Sequence, residues 1–197
     1  PLLSQFSQNT AVLAAGRSHQ IPPHILRGDL ISINPNGRDQ LEVSRMKIDE
    51  NYLDVLQVKL IAGRNFTTIQ SDVALSVIVN EATIQSLEML KPDQPLVDAI
   101  GKTIYRGLNK YHIIGIVNDF NYTSLRHEVS PLIIYHIDNP SLPDSGTNAS
   151  FISVRFNPKS VNDLTKFVDG LERQTLDFNP VMPFTYNFLD QEFAKTF

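Results

Sequence analysis

The chain of 197 residues predicts an α+β fold. Three observations carry this. A strand, an N-cap and a helix follow one another from Ser76 to Leu90; turn residues between apolar runs mark hairpins at Asn36-Gly37 and at Gly107–Lys110; and an alternating strand precedes an amphipathic helix between Phe151 and Leu171. Strand-helix-strand units at both ends fit one α+β subdomain. The middle, from about Asn65 to Arg126, has its own strands and helix and reads as an insertion.

Taken in order, Leu2, Leu3 and Phe6 have helical spacing, and Ala11 to Ala15 is a short apolar run closed by Gly16 and the Pro22-Pro23 pair, so a short helix and then a strand are expected. Asn36-Gly37 stands between Asp29–Ile33 and Gln40–Met46. Both turn residues tolerate positive φ, which makes a two-residue hairpin the natural reading. Asp49 is placed to cap a helix over Glu50–Leu56 that turns Tyr52, Leu53 and Leu56 inward. Asn80 is placed to cap Glu81–Leu90, whose Ile84 and Leu87 share a helix face until Pro92 stops it. Thr103–Arg106 and Tyr111–Val117 flank a hairpin turn, and Pro131–Ile137 is a further β-branched strand.

From Asp138 to Ser150 the Asn-Pro, Pro-Asp and Ser-Gly pairs predict an exposed, mobile loop. Phe151–Phe156 follows as a strand. Ser160 with Asp163 resembles a capping box, and Leu164, Phe167, Val168 and Leu171 give the next helix one apolar face. Asn179-Pro180 ends it. Phe184, Tyr186 and Phe188 then alternate with Thr185 and Asn187 as the last strand of a β-α-β arrangement, and Asp190 is expected to cap a helix carrying Phe193 and Phe197.

Composition narrows the function classes. Seventeen Lys and Arg against 21 Asp and Glu give a net charge of -4. The basic residues are scattered, which disfavours nucleic acid and anionic lipid as partners. There is no cysteine, so disulfides, zinc-thiolate sites and thiol catalysis are excluded together. No apolar run approaches the roughly 18 residues that cross a bilayer. The chain starts at Pro1 with no leader pattern, which suggests an excised or processed piece.

Catalytic patterns are weak. The Asp49/Glu50 pair, Asp119 and Asp190 are the carboxylates that could do acid-base work as a pair in a secreted hydrolase. Each stands beside a predicted helix start or strand end, where capping or a turn explains it, and Asp119→Asn is then expected to cost little stability. His19, His24, His112, His127 and His136 show no metal-ligand spacing. No nucleophile elbow and no phosphate-binding glycine loop occurs. In Ala62-Gly63-Arg64-Asn65-Phe66 an anion-binding turn competes with a structural one, in which Gly63 takes positive φ, Arg64 pairs with a carboxylate and Phe66 packs inward. The Asn-x-Ser/Thr triplets at Asn65, Asn121 and Asn148 are assigned no role. No catalytic, cofactor-binding or metal-binding residue, and no cofactor, is therefore assigned.

The stretch Tyr111 to Asn121, reading Tyr-His-Ile-Ile-Gly-Ile-Val-Asn-Asp-Phe-Asn, is the most telling part of the chain. With Ile61–Phe66, Val77–Ala82, Ile100-Gly101-Lys102 and Pro183–Asp190 it stands in the same order as in MacB-like permeases. Over nearly its whole length the chain resembles the periplasmic core domain of that ABC transporter group, which includes the FtsX and LolCE types. The resemblance implies a Porter-like β-α-β subdomain from residues 1–64 and 127–197, interrupted by a smaller Sabre-like α/β subdomain at residues 65–126.

It further implies a noncatalytic periplasmic domain of an inner-membrane protein, lying between the first and second transmembrane helices of a permease. Such a domain carries ATP-driven motion to a periplasmic substrate or partner, in efflux, export or mechanotransmission. The partners implied are an ABC ATPase subunit or domain, a second permease as homodimer or heterodimer, and a periplasmic adaptor or substrate protein, with the isolated domain a monomer. The alternative is an extracellular sensory, ligand-binding domain of a membrane receptor, which a genuine pocket would favour.

Overall fold

β-branched and aromatic runs form most of the strands of this chain, and amphipathic stretches between them form helices of 5 to 18 residues. The structure, a computed structural model, describes residues 2–24, 26–122, 129–142, 151–157, 161–181 and 183–194. In chain order these make α1 (Leu2–Ser7), β1 (Val12–Ser18), β2 (Leu26–Ile31), β3 (Leu41–Ile48), α2 (Tyr52–Leu56), β4 (Leu60–Gly63), α3 (Gln70–Leu75), β5 (Ser76–Asn80) and α4 (Glu81–Ser86). After a 3-10 turn at Leu96–Ala99 come β6 (Thr103–Arg106), β7 (Asn109–Val117), β8 (Leu132–His136), β9 (Phe151–Phe156), α5 (Val161–Phe178) and α6 (Leu189–Ala194). The predicted α+β class is the observed one.

All nine strands of the described residues belong to one mixed sheet of order β4-β7-β5-β8-β3-β1-β9, with β6 also on β7 and β2 also on β3. Two strands share each of two edges. On one side of β7, β6 pairs with its first half (Thr103↔His112 to Arg106↔Asn109) and β4 with its end (Leu60↔Val117). On one side of β3, β2 pairs up to Ile31↔Leu41 while β1 touches only at Ser18↔Ile48. A single bridge, Ser32↔Tyr105, then joins β2 to β6. The strands β6, β7, β5, β8, β3 and β2 thus close into a ring.

Side-chain alternation gives the ring an inside and an outside. Ile31, Val43, Val77, Val79, Ile104, Tyr111, Ile113, Ile133 and Tyr135, drawn from all six strands, form one buried cluster with Ile84 and Leu87 from α4 and its C-terminal end. The alternate residues Met46, Ile48, Ile78, Leu132 and Ile134 form a second cluster under Tyr52 and Leu53 of α2, with Phe66 and Tyr122. Burying a side chain of this size contributes roughly 1.5–3 kcal/mol, so these two layers hold the fold.

Several elements differ from the sequence expectation. The loop between β2 and β3 spans Ser32 to Gln40 and not two residues, because Ile31 pairs with Leu41; Gly37 takes φ 61 and donates its N–H to Asn34 O within it. β1 runs through Gly16 to Ser18, since the missing side chain lets the backbone of Tyr52 sit against it. α4 stops four residues early, at Ser86, where Glu88 turns to φ 46. Residues 183–188 pair with no strand, so the expected last β of β-α-β is absent from the sheet and its aromatic rings pack on one another instead. Of the loop expected to be exposed, Asn139 and Leu142 are buried: the Asn139 amide donates to Ala74 O and Leu142 packs in the first cluster. Its remainder, residues 143–150, lies outside the described residues, as does Ser160 of the capping box and Phe197.

Candidate functional site

The register of the sheet separates the carboxylates that the sequence singles out. β3 and β8 run parallel and β5 runs antiparallel to β8, so Asp49, after β3, stands at one end of the sheet and Asp119, after β7, at the other. They cannot act as a pair.

At the first end Asp49 is 1 % exposed, and its oxygens accept from the backbone N–H of Arg17 at 2.7 Å and of Asn51 at 3.1 Å. The carboxylate holds the turn before α2; the N-cap itself is Asn51, so the expected Asp49 cap is displaced by two residues. Burial raises the Asp49 pKa, and the two backbone donors work against that rise. Arg17 joins Asp49 to Asp138 (3.7 and 3.1 Å), while Glu50 lies 3.7 Å from His136, whose ring meets Phe66 edge-on.

At the other end Asp119 and Glu81 interlock through backbone groups. Asp119 Oδ1 accepts from Ala82 N and Glu81 Oε2 accepts from Asp119 N, each at 3.1 Å. The Asp119 pKa is raised by burial first and by the Glu81 charge second. Beside them Asn80 caps α4 as expected: its Oδ1 accepts from Thr83 N at 3.1 Å and from Leu132 N at 2.9 Å. Asp190 lies inside α6, which starts at Leu189, and accepts from the N–H of Gln191 at 3.0 Å; it does not stand at the cap position.

The turn at Gly63 takes its structural form. Gly63 has φ 74, Phe66 is 4 % exposed, and Arg64 forks onto Asp72 at 2.6 and 2.8 Å. Asp72 was not singled out from the sequence. Its signal is an acidic residue in the first turn of a short helix, facing an arginine eight residues earlier. Asp29 was missed too: it is 5 % exposed inside the ring, with Arg106 Nε at 2.7 Å and Arg45 at 3.7 Å. Among the histidines, His24 reaches Glu192 at 3.3 Å and His127 lies outside the described residues. Among the described residues no group of three or more His, Cys, Asp or Glu could hold a metal, and no helix is long and apolar enough to cross a membrane.

A groove of about 590 Å³ lies between β9, α5 and residues 184–190. Phe156 and Phe167 stack at 4.4 Å on its floor, and Phe184, Tyr186 and Phe188 run along one wall with successive ring centroids 5.8 and 5.6 Å apart. Tyr186 is 56 % exposed. Ser153, Arg155, Asp190 and Glu192 line the groove as well, so its surface combines aromatic contact area with polar and charged groups.

No family model and no curated protein matches the chain. Solved structures do. The periplasmic region of MacB from Actinobacillus actinomycetemcomitans matches with a TM-score of 0.62 at 16% identity, over 98% of this chain and 80% of that one. The extracellular domain of the ABC-type transporter YknZ from Gram-positive bacteria matches with a TM-score of 0.58 at 15% identity, over 92% of this chain and 83% of that one. The chain therefore has the α+β fold of the MacB periplasmic region.

Proposed function

We propose that this chain is a noncatalytic periplasmic domain of an ABC transporter permease, standing between the first and second transmembrane helices and carrying ATP-driven motion to a periplasmic substrate or partner. The observation that carries this reading is the likeness to the MacB periplasmic region over 98% of the chain, which covers nearly all of it and not one common motif. Three of the five short segments that resemble MacB-like permeases also fall on paired strands and their turns, Ile61–Phe66 on β4, Val77–Ala82 on β5 and Tyr111–Asn121 on β7, while Pro183–Asp190 does not. The carboxylates are occupied with backbone and arginine partners, which fits a rigid body better than a reactive one. In this reading residues 1–64 and 127–197 form a Porter-like part and residues 65–126 a Sabre-like part. The ATPase is a separate or fused domain, the permease is a dimer, and an adaptor or substrate protein meets the exposed surface.

Cross-linking the Porter-like parts of two protomers in the full permease tests it, with ATPase activity and transport measured separately. Lost transport with ATP hydrolysis retained is the expected result; unchanged transport with locked domains refutes the proposal. A second reading, a sensory ligand-binding domain, is favoured by the aromatic groove of about 590 Å³. Thermal-shift screening with small metabolites tests that reading, and a saturable rise removed by Tyr186→Ala would favour it.

A further inference from the structure

Five of the six joints in the strand ring are ladders and one is not. β2–β3, β3–β8, β8–β5, β5–β7 and β7–β6 each carry three or more registered pairs, whereas β2 and β6 meet only at Ser32↔Tyr105. The backbone hydrogen bonds of that bridge are Ser32 N to Tyr105 O at 2.9 Å and Tyr105 N to Ser32 O at 2.8 Å. A ring opens where the fewest cooperative bonds must break.

The same joint carries a buried charge cluster. Asp29 of β2 is 5 % exposed; Arg106 of β6 donates to its Oδ1 across the joint at 2.7 Å, and Arg45 of β3 approaches the same oxygen at 3.7 Å. Arg45 sits in the β3–β8 ladder opposite Ile133, so the carboxylate links β6 through β2 to that ladder. Asp29 Oδ2 and Arg45 Nε have no well-formed hydrogen bond. A buried network that is only partly satisfied costs much when one member is removed, because the remaining charge is left uncompensated.

The sequence beside the joint is made for bending. β2 slips register between Leu26 and Asp29, around Gly28 at φ 74, and the turn after β6 is Gly107 at φ 56 with Leu108 fully exposed. We propose that Asp29, held between Arg106 and Arg45, is the clasp of this ring, and that the β2–β6 joint is a latch that opens to free β6 and the turn after it from β2 while the ladders, β5–β7 among them, stay paired. Its purpose rests on the force-transmitting reading, since a closed ring moves residues 65–126 with the rest as one body. The latch itself is read on this chain alone, so it stands or falls separately from cross-linking in the permease.

The test is residue-resolved amide hydrogen exchange of the wild type, Asp29→Asn and Arg106→Met. The Ser32 and Tyr105 amides are expected to exchange at least about 10-fold faster in both variants, independently of low urea as for local opening, while amides of β5 and β8 keep their rates. Ser32 and Tyr105 exchange both hydrogen bonds, so their Cα atoms lie about 5.5 Å apart, within disulfide reach. In this cysteine-free chain the Ser32→Cys/Tyr105→Cys pair, oxidised, is expected to restore protection to the β6 amides in the Asp29→Asn background. If Asp29→Asn fails to fold, Arg106→Met decides. A parallel rise in β2, β5, β6 and β8, or no rise at Ser32 and Tyr105, overturns the proposal.

Discussion

Replacing Asp72 by Asn removes the charge from the tightest ion pair in the described chain. The Asp72 carboxylate accepts two bonds from Arg64, at 2.6 and 2.8 Å, and two from Thr67, from its N–H at 3.0 Å and its hydroxyl at 2.7 Å. The Arg64 fork, before the Thr67 donors, holds the Asp72 pKa down from the ordinary 3.8 to about 2. At about 1.4 kcal/mol per pH unit that is about 2.5 kcal/mol in favour of the charged form. The Arg64 side chain is 54% exposed, so solvent screening reduces the cost of the substitution to about 1–2 kcal/mol. The group's pKa is depressed in the fold, so this stability is present above pH 3.8 and is lost as pH falls from there through about 2. Urea denaturation of the wild type and the variant at pH 7 and near pH 2 is the assay. The expected gap of about 1–2 kcal/mol at pH 7 shrinks to a small remainder at the acid end. A gap that stays constant between the two pH values, or one below about 0.5 kcal/mol at pH 7, refutes the reasoning.

Gly115→Ala is expected to cost about 2–4 kcal/mol by chemical denaturation, because its new carbon would lie 2.5 Å from the Arg64 carbonyl oxygen and 2.9 Å from Leu60. Gly107→Ala, with open space around it and φ 56, is expected to cost only about 1 kcal/mol, so equal losses at the two sites would contradict the packing argument. Asn80→Ala strips a fully buried side chain that joins α4 to β8 through Thr83 N, Leu132 N and Ser130 O. A loss of about 2–3 kcal/mol in stability is expected, and a loss below about 1 would mean that the helix cap alone counts. Asp119→Asn, which keeps an acceptor for Ala82 N, is expected to change stability by less than about 1 kcal/mol.

What the sequence makes legible follows from how local each signal is. Asn80 with Glu81 and Thr83 is a cap written in four adjacent residues, and the strand before it is visible in the same window. Gly63 and Arg64 are likewise readable as a turn, since the positive φ and the pairing with Asp72 eight residues on are local. Asp29 was not, because its partners Arg45 and Arg106 are 16 and 77 residues away and only strand pairing brings them together. The ring itself has no sequence signature for the same reason: its last joint is one pair, Ser32↔Tyr105, between strand runs that the sequence assigns to two separate hairpins. The alternation of Phe184, Tyr186 and Phe188 promised a strand, and it states only that the rings fall on one side. They do so against the groove, without backbone pairing to β9.

The single registered pair between β1 and β3 has a mechanical consequence. α1 packs on both β1 and α5, and β9 pairs with β1 over six registered positions, so the elements near both ends of the described chain belong to one layer. That layer meets the ring at Ser18↔Ile48, reinforced by Arg17, Asp49 and the packing of α2 on Gly16. In a single-molecule pulling experiment with handles at the two ends, tension therefore enters at Val12↔Phe156 and unzips the β1–β9 ladder toward Ser18↔Phe151 before it reaches this joint. The ring lies outside the direct load path and is the last part to unravel.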